Sequence, residues 1–263
     1  MIIIKIGGGA SINLKGIVAD LAEIEKPFLI VHGANALRDE IARQLGSPKK
    51  VITSVSGYSS VLSDETALDI LMMAYAGVRN KRIVELCQQH GINAVGLSGL
   101  DGKLVQGKRN QGIRVKEGGK MRLVRDFSGK PQSVNTHLLN LLLDNGYIPV
   151  ITVPMIDENN FAINTENDDV INTIQQALRA DMIVQLIEAP GFLENPDDPG
   201  SLVEKMTKLD LAAREEQTTG RMKRKMLALR KLFDAGAQTV MISDGRVEHP
   251  IKDALNEKGT RIT

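Results

Sequence analysis

The chain has 263 residues, 33 basic and 32 acidic side chains, 42% hydrophobic residues, one cysteine and no tryptophan. A chain of this length and ordinary composition can bury a sizeable core of its own. A net charge of +1 argues against bulk adhesion to nucleic acid or membrane, and a lone cysteine rules out a disulfide framework.

Residues 2–6 read as an aliphatic strand that starts so early as to leave no room for a leader peptide. A helix over 13–24, a strand over 28–32 and a helix over 37–45 follow, the alternation of a parallel sheet with crossover helices. One long helix is expected over 64–90, with Ser63 or Asp64 as its cap. Within it Cys87 reads as a small buried apolar residue rather than a reactive thiol. A buried strand over 94–98 ends in Gly99. The rhythm then breaks: 103–106, 112–116 and 121–125 read as short strands, with Glu117-Gly118-Gly119 as a hairpin signal between the last two. Alternation resumes with a helix over 134–145, a strand over 148–154, a turn at 157–160, a helix over 168–178 and a strand over 182–186. Residues 195–200 form an exposed loop, and a helix over 223–234, a strand over 239–243 and a short terminal strand complete the chain. No apolar stretch reaches the ~18–20 residues of a membrane span, so a cytoplasmic protein is expected.

Four stations carry candidate chemistry. Lys5-Ile6-Gly7-Gly8-Gly9 puts a lysine and three glycines at the carboxyl end of the first strand, where open parallel sheets bind ligands and bare backbone can wrap phosphate. It matches neither G-x-G-x-x-G nor G-x-x-x-x-G-K-[ST]. The bland alternative is an edge-strand lysine before an ordinary turn. His32-Gly33-Ala34-Asn35 ends the second strand at the same sheet edge. There His32 reads as a buried, hydrogen-bonded histidine, and Gly33 is the better candidate. Asn164-Thr165-Glu166-Asn167-Asp168 opens a helix, and Asp168 either caps it or orients lysines. Gly220-Arg221-Met222-Lys223-Arg224-Lys225 places cations at a helix amino terminus against the macrodipole, so either they form a solvated face or an anion such as phosphate belongs there. The four histidines, at 32, 90, 137 and 249, are scattered and no metal site is expected. No nucleophile elbow occurs.

These stations, in this order, resemble the amino-acid kinase family over essentially the whole length. The chain resembles the acetylglutamate kinase group through Lys5-x-Gly7-Gly8, Val31-His32-Gly33, the Asn164 to Asp168 spacing, Gly220-x-Met222-x-x-Lys225, Asp244-Gly245-Arg246 and Gly259-Thr260-Arg261-Ile262. The stretches 107–109, 113–120, 126–129 and 220–225 look like the carrier-protein-linked aminoadipate kinases. The resemblance implies an α/β fold: a three-layer α/β/α sandwich of the amino-acid kinase type, its mostly parallel central sheet carrying an antiparallel basic hairpin insertion. It implies one domain over 1–263, with an acyl-substrate lobe to about residue 160 and an ATP-binding lobe beyond. The implied reaction is ATP-dependent phosphorylation of the side-chain carboxylate of 2-aminoadipate or glutamate, whose amine is masked by a small acidic carrier of the LysW type. Lys5, Lys225 and Asp168 would be catalytic, Gly7, Gly8 and Gly33 would hold phosphate, and Asn164 and Gly57 would meet the acyl substrate. Magnesium would arrive with ATP, and a homodimer is implied.

Charge patterning adds to this independently. Residues 103–130 hold nine cations and two anions, a local +7. An acidic partner docking there gains on-rate and selectivity, and Lys108, Arg109, Arg114, Lys116 and Lys120 are the candidate docking residues. A solvated hairpin is the bland alternative, and one aromatic residue, Phe127, weakens an RNA surface. Three positions depart from the resembled pattern. Val61 stands where an arginine would clasp the substrate's carboxylate, Ala34 replaces a second glycine, and Ile187-Glu188 replaces Thr-Asp on the nucleotide side. A kinase acting on free N-acetylglutamate and a catalytically impaired carrier-binding paralogue are the competing expectations.

Overall fold

The first strand, β1 (Ile2–Ile6), sends Ile2, Ile4 and Ile6 to one face and Ile3 and Lys5 to the other, because side chains alternate along a strand. A computed structural model describes residues 1–53, 55, 59–117, 120–217 and 220–263. In it α1 (Leu14–Leu21) is capped by the Asn13 side chain, which accepts from Gly16 N at 3.0 Å. Then come β2 (Phe28–His32), α2 (Asn35–Gln44) and a small antiparallel pair, β3 (Val51–Thr53) with β4 (Ser59–Val61). The expected long helix is present as three pieces. These are α3 (Glu65–Met72), capped by Asp64, a seven-residue π-helical turn over Met73–Arg79, and α4 (Asn80–Gln89). Cys87 is fully buried, which pushes its thiol up to about 12.

β5 (Ala94–Gly99) rejoins the sheet, and the basic insertion divides in two. β6 (Val105–Arg109) and β9 (Gly129–Val134) pair antiparallel and extend the main sheet, whereas β7 (Ile113–Glu117) and β8 (Lys120–Val124) form a separate two-stranded hairpin. β9 was not expected from the sequence. α5 (Thr136–Asp144), β10 (Ile148–Ile156), β11 (Ala162–Ile163), α6 (Asn167–Leu178) and β12 (Met182–Ile187) follow. After β13 (Lys205–Met206) comes α7 (Lys208–Gln217), another unexpected element, then α8 (Gly220–Asp234), β14 (Thr239–Asp244), the unexpected short α9 (Pro250–Leu255) and β15 (Thr260–Ile262).

The main sheet runs β13-β15-β14-β12-β1-β2-β10-β6-β9, with β5 and β11 also paired to β10. The pairs β14-β12-β1-β2-β10-β5 are all parallel. Helices α1, α4 and α9 cover one face, where Ile4, Ile6, Val184 and Met241 are fully buried with Ile17, Ile83 and Ile251. Helices α3, α5, α6, α7 and α8 cover the other, with Ile3, Val31, Ile183 and Ile242 against Ile171, Leu211 and Met226. The result is the expected three-layer sandwich. Its consequence for the site is positional: β1 is central, between β12 and β2, so Lys5 is no edge-strand residue.

Candidate active site

Lys5 leaves β1 on the face covered by α6 and α8, and its ammonium makes an ion pair with Asp168 of α6. Asp168 does not cap that helix. The cap position is Glu166, and Asp168 lies in the first turn, where a carboxylate also suits the helix dipole. Four residues on, Asn172 projects from the same side of α6 into a small cavity lined by Asp168, Ile171, Gln185, Lys225 and Leu229. Asn172 is 6% exposed, and both atoms of its amide lack a partner. Lys225 of α8 is half-buried beside this cavity, whereas Lys223 is exposed. Burial first, and then the like charge of Lys5, hold the Lys225 ammonium below the ordinary lysine range, with Asp168 opposing. Two lysines 220 residues apart in sequence thus share one neighbourhood around one carboxylate.

The glycine turn closes over this edge. A Cβ on Gly8 would lie 2.6 Å from Asn35 N and 2.8 Å from Ala34 N, and one on Gly33 would lie 3.0 Å from the Gly8 backbone. The two loops therefore touch through bare backbone, and Ala36 N donates to Gly8 O at 2.9 Å. The amides of Gly7 and Gly33 are already engaged, donating to Leu186 O and Ile6 O at 2.9 Å each. Ala34 is 1% exposed and its methyl belongs to the apolar core, not to the open side of the turn. His32 is fully buried, and burial pushes its imidazole down to about 3. Asn80 Nδ2 lies 3.1 Å from Nε2 and donates to Val150 O at 2.9 Å. It is a structural, neutral histidine.

Asn164 approaches from the other side of β10, its amide donating to Ser63 Oγ at 3.1 Å. Ser63 N in turn donates to the buried carboxylate of Asp126 at 2.9 Å. Sequence alone does not mark Ser63 and Asp126 as neighbours of Asn164; Ser63 reads there only as a candidate helix cap, a place that Asp64 takes. Val61 lines a cleft with Arg38, Lys49, Lys50, Leu62 and Ala67. Arg38 there donates to Asp39 at 2.7 and 3.0 Å, and Lys50 lies 3.2 Å from Asp64. Gly57 lies outside the described residues. Of the basic insertion, Lys108, Arg114, Lys116 and Lys120 are exposed. Arg109 is turned inward, 4.1 Å over the Phe127 ring and 4.0 Å from the buried Asp157.

At the end of β12, Glu188 accepts from Ser11 N at 2.7 Å and from Ser11 Oγ at 2.5 Å, and a Cβ on Gly9 would fall on its carboxylate. These two bonds from Ser11 are the main cause that holds the Glu188 carboxyl below the usual carboxylate range.

Residues 1–244 match the profile of the amino acid kinase family. Over its whole length the chain is 39% identical to the [LysW]-aminoadipate kinase of Thermus thermophilus, covering all of both proteins. It is 32% identical to the acetylglutamate kinase of Methanopyrus kandleri, again covering all of both. The crystal structure of smu.665 from Streptococcus mutans UA159 superposes with a TM-score of 0.78 at 22% identity, covering 100% of this chain and 98% of that one, a likeness of fold.

Proposed function

The chain belongs to the amino acid kinase family, and from that premise we propose that it transfers the terminal phosphoryl group of ATP to a side-chain carboxylate. The acceptor is an acidic amino acid, 2-aminoadipate or glutamate, with its amine masked by a small acidic carrier protein, and the product is an acyl phosphate of lysine or arginine biosynthesis. The observation that carries this reading is the Lys5–Asp168 pair with Lys225 beside it, at the carboxyl edge of a central parallel strand.

An acceptor carboxylate oxygen attacks the γ-phosphorus as the bond to the β–γ bridging oxygen breaks, and ADP leaves with that electron pair. Such a transfer asks for positioning and charge stabilisation rather than covalent help. Lys5 and Lys225 would neutralise charge spread over the equatorial oxygens, and Asp168 would hold their ammonium groups toward that point. Because the Gly7 and Gly33 amides are spent on the sheet, Gly33 would act by letting the two loops meet, and Gly7 by fitting closely against Leu186 O. The amides of Gly8 and, at the start of α2, of Asn35 make no backbone hydrogen bond to a described residue and would face phosphate instead. Asn164 would meet the acyl group, and Arg38, Lys49 and Lys50 are the cations that the cleft beside Val61 offers to a carboxylate. Among the described residues no group of three carboxylates, histidines or cysteines gathers as a cation cage. Magnesium would therefore be held by phosphate oxygens and water, offsetting phosphate charge. Residues up to about 160 would form the acyl side and the remainder the nucleotide side.

The carrier would dock on the hairpin. Register puts Arg114 opposite Leu123 and Lys116 opposite Met121, so these four share one face, with Met121 60% and Leu123 63% exposed. Cations interleaved with exposed apolar side chains suit an acidic protein that also buries aliphatic surface. A homodimer completes the proposal. The test incubates the enzyme with ATP, carrier-bound aminoadipate or glutamate, and hydroxylamine. Hydroxamate is expected with the carrier-bound acid and not with free N-acetylglutamate, and Lys225→Met should abolish most of it. Hydroxamate from N-acetylglutamate alone would transfer the reading to the free-substrate kinase that the Methanopyrus relative is named as. No hydroxamate with any acceptor would refute acyl phosphate formation.

A further inference from the structure

We propose that Arg79 is a ligand of the nucleotide's terminal phosphoryl groups, a third cation beside Lys5 and Lys225; this rests on the reading that those phosphates lie on the Gly7–Gly9 turn. Arg79 is the last residue of the π-helical turn that interrupts the α3–α4 run. Such turns are rare and re-phase the helix beyond them, often where a side chain must be aimed at a site. The aim here is toward the sheet's carboxyl edge. Nη2 lies 3.4 Å from the carbonyl oxygen of Gly9, at the limit of a hydrogen bond. Nε is buried and has no partner, and no described carboxylate lies within ion-pair distance of the guanidinium.

A half-buried guanidinium with five N–H groups and one long bond lacks its counter-anion. The nearby candidates within the chain do not supply it. Glu188 is close enough to act on Arg79 electrostatically, but its carboxylate is tied to Ser11. His32, at the end of β2, is neutral. Burial accordingly pushes the guanidinium below its ordinary range, with Glu188 opposing only in part. A phosphate placed on the glycine turn would bring oxygens to the open donors, and a planar fork suits phosphate better than a lysine would. The acyl group is the less fitting anion. Asn164 bonds to Ser63 just before α3, whereas Arg79 stands at the far end of the run that begins at Glu65, roughly 20 Å along a helix.

The test is calorimetric titration of ATP and of AMP into the wild-type chain, Arg79→Met, Arg79→Lys, Glu188→Gln and the Arg79→Met/Glu188→Gln double variant. ATP affinity should fall roughly ten- to hundred-fold in Arg79→Met, the loss of one charge-assisted contact. Arg79→Lys should be intermediate, and AMP affinity should stay within about two-fold of wild type. If Arg79 merely balances Glu188, the double variant recovers ATP affinity, which overturns the proposal. So does an unchanged ATP affinity, or an equal loss for AMP. Should Arg79→Met fail to fold, the Arg79→Lys titration decides alone, a wild-type affinity counting against. Hydroxamate formation by the wild type is read separately. Arg79-dependent ATP binding without hydroxamate keeps this inference and overturns the acyl reaction, and hydroxamate with Arg79-independent binding does the reverse.

Discussion

Adding one methyl at Gly8 perturbs the proposed phosphate seat without touching a charge. The new Cβ would stand 2.6 Å from Asn35 N, 2.8 Å from Ala34 N and 3.0 Å from Gly33 C, all main-chain atoms that cannot rotate away. Ordinary contact begins at 3.4 Å, so the Gly7–Gly9 and Gly33–Asn35 loops must part by about 0.8 Å, the difference between 3.4 and 2.6 Å. Overpacking of this kind costs about 1–3 kcal/mol, or a fall of ~2–12 °C in Tm for a chain of this size. The catalytic effect is expected to be larger, because a displacement near 1 Å at a reacting centre costs on the order of a hundred-fold in rate. Gly77→Ala is the control: its Cβ would meet nothing nearer than Met72 O at 3.6 Å, and it should leave turnover unchanged. The assay is the initial rate of hydroxamate formation, with thermal unfolding followed in parallel. Gly8→Ala retaining more than about a third of wild-type turnover would refute the claim that close apposition of the two loops builds the phosphate seat.

Three further outcomes follow from the same geometry. Reversing Lys116 and Lys120 to glutamate should raise KM for the carrier-bound acid and flatten its salt dependence, with kcat little changed; unchanged salt dependence would remove the docking surface. Activity that needs protonated Lys225 should fall on the alkaline side. In the free enzyme burial holds its pKa below 10.5, whereas bound phosphate favours the ammonium, so the limb in kcat/KM should come at lower pH than the limb in kcat. Coincident limbs would contradict this. The same depressed pKa makes the unfolded chain bind more protons between the folded value and 10.5, so this group's contribution to stability rises with pH in that window. Far from the site, the buried Asp20 of α1 accepts from Ile251 N at 3.0 Å and Lys252 N at 3.1 Å, serving as a remote cap for α9, with His249 Nδ1 at 2.9 Å. Asp20→Ala should cost about 2–3 kcal/mol and lower Tm by ~4–12 °C. A loss under 2 °C in a melting scan would show those amides satisfied elsewhere.

What the sequence made legible is what period and punctuation record. The glycine turns, the strand that carries Lys5 and the helix that opens at Asn167 each have a local signature, and each lies where it was expected. The convergence of Lys5, Asp168 and Lys225 has none. It depends on strand order and on Lys5 sharing a face with Ile3. β9 has no strand signature because Gly129 and Pro131 discourage one, and Pro is accommodated there because β9 is the sheet's edge. α7 buries little beyond Leu211 and leaves Leu209 81% exposed, so its apolar period is weak. Its start did carry a signal, the reciprocal bonds between Thr207 and Asp210 of a capping box. Pro250 at the first turn likewise marks α9. The π turn that aims Arg79 has no composition of its own, since Met73-Ala74-Tyr75-Ala76-Gly77-Val78-Arg79 continues an ordinary helical pattern.

The most direct measurement is a crystal structure with ADP, magnesium, aluminium fluoride and the acyl acceptor, in which the fluoride stands for the phosphoryl group in transit. The Nζ atoms of Lys5 and Lys225 should both lie within hydrogen-bond distance of that group, with Asp168 between them. An ammonium of either lysine turned away from the fluoride, or the fluoride seated elsewhere than over the glycine turn, would contradict the account.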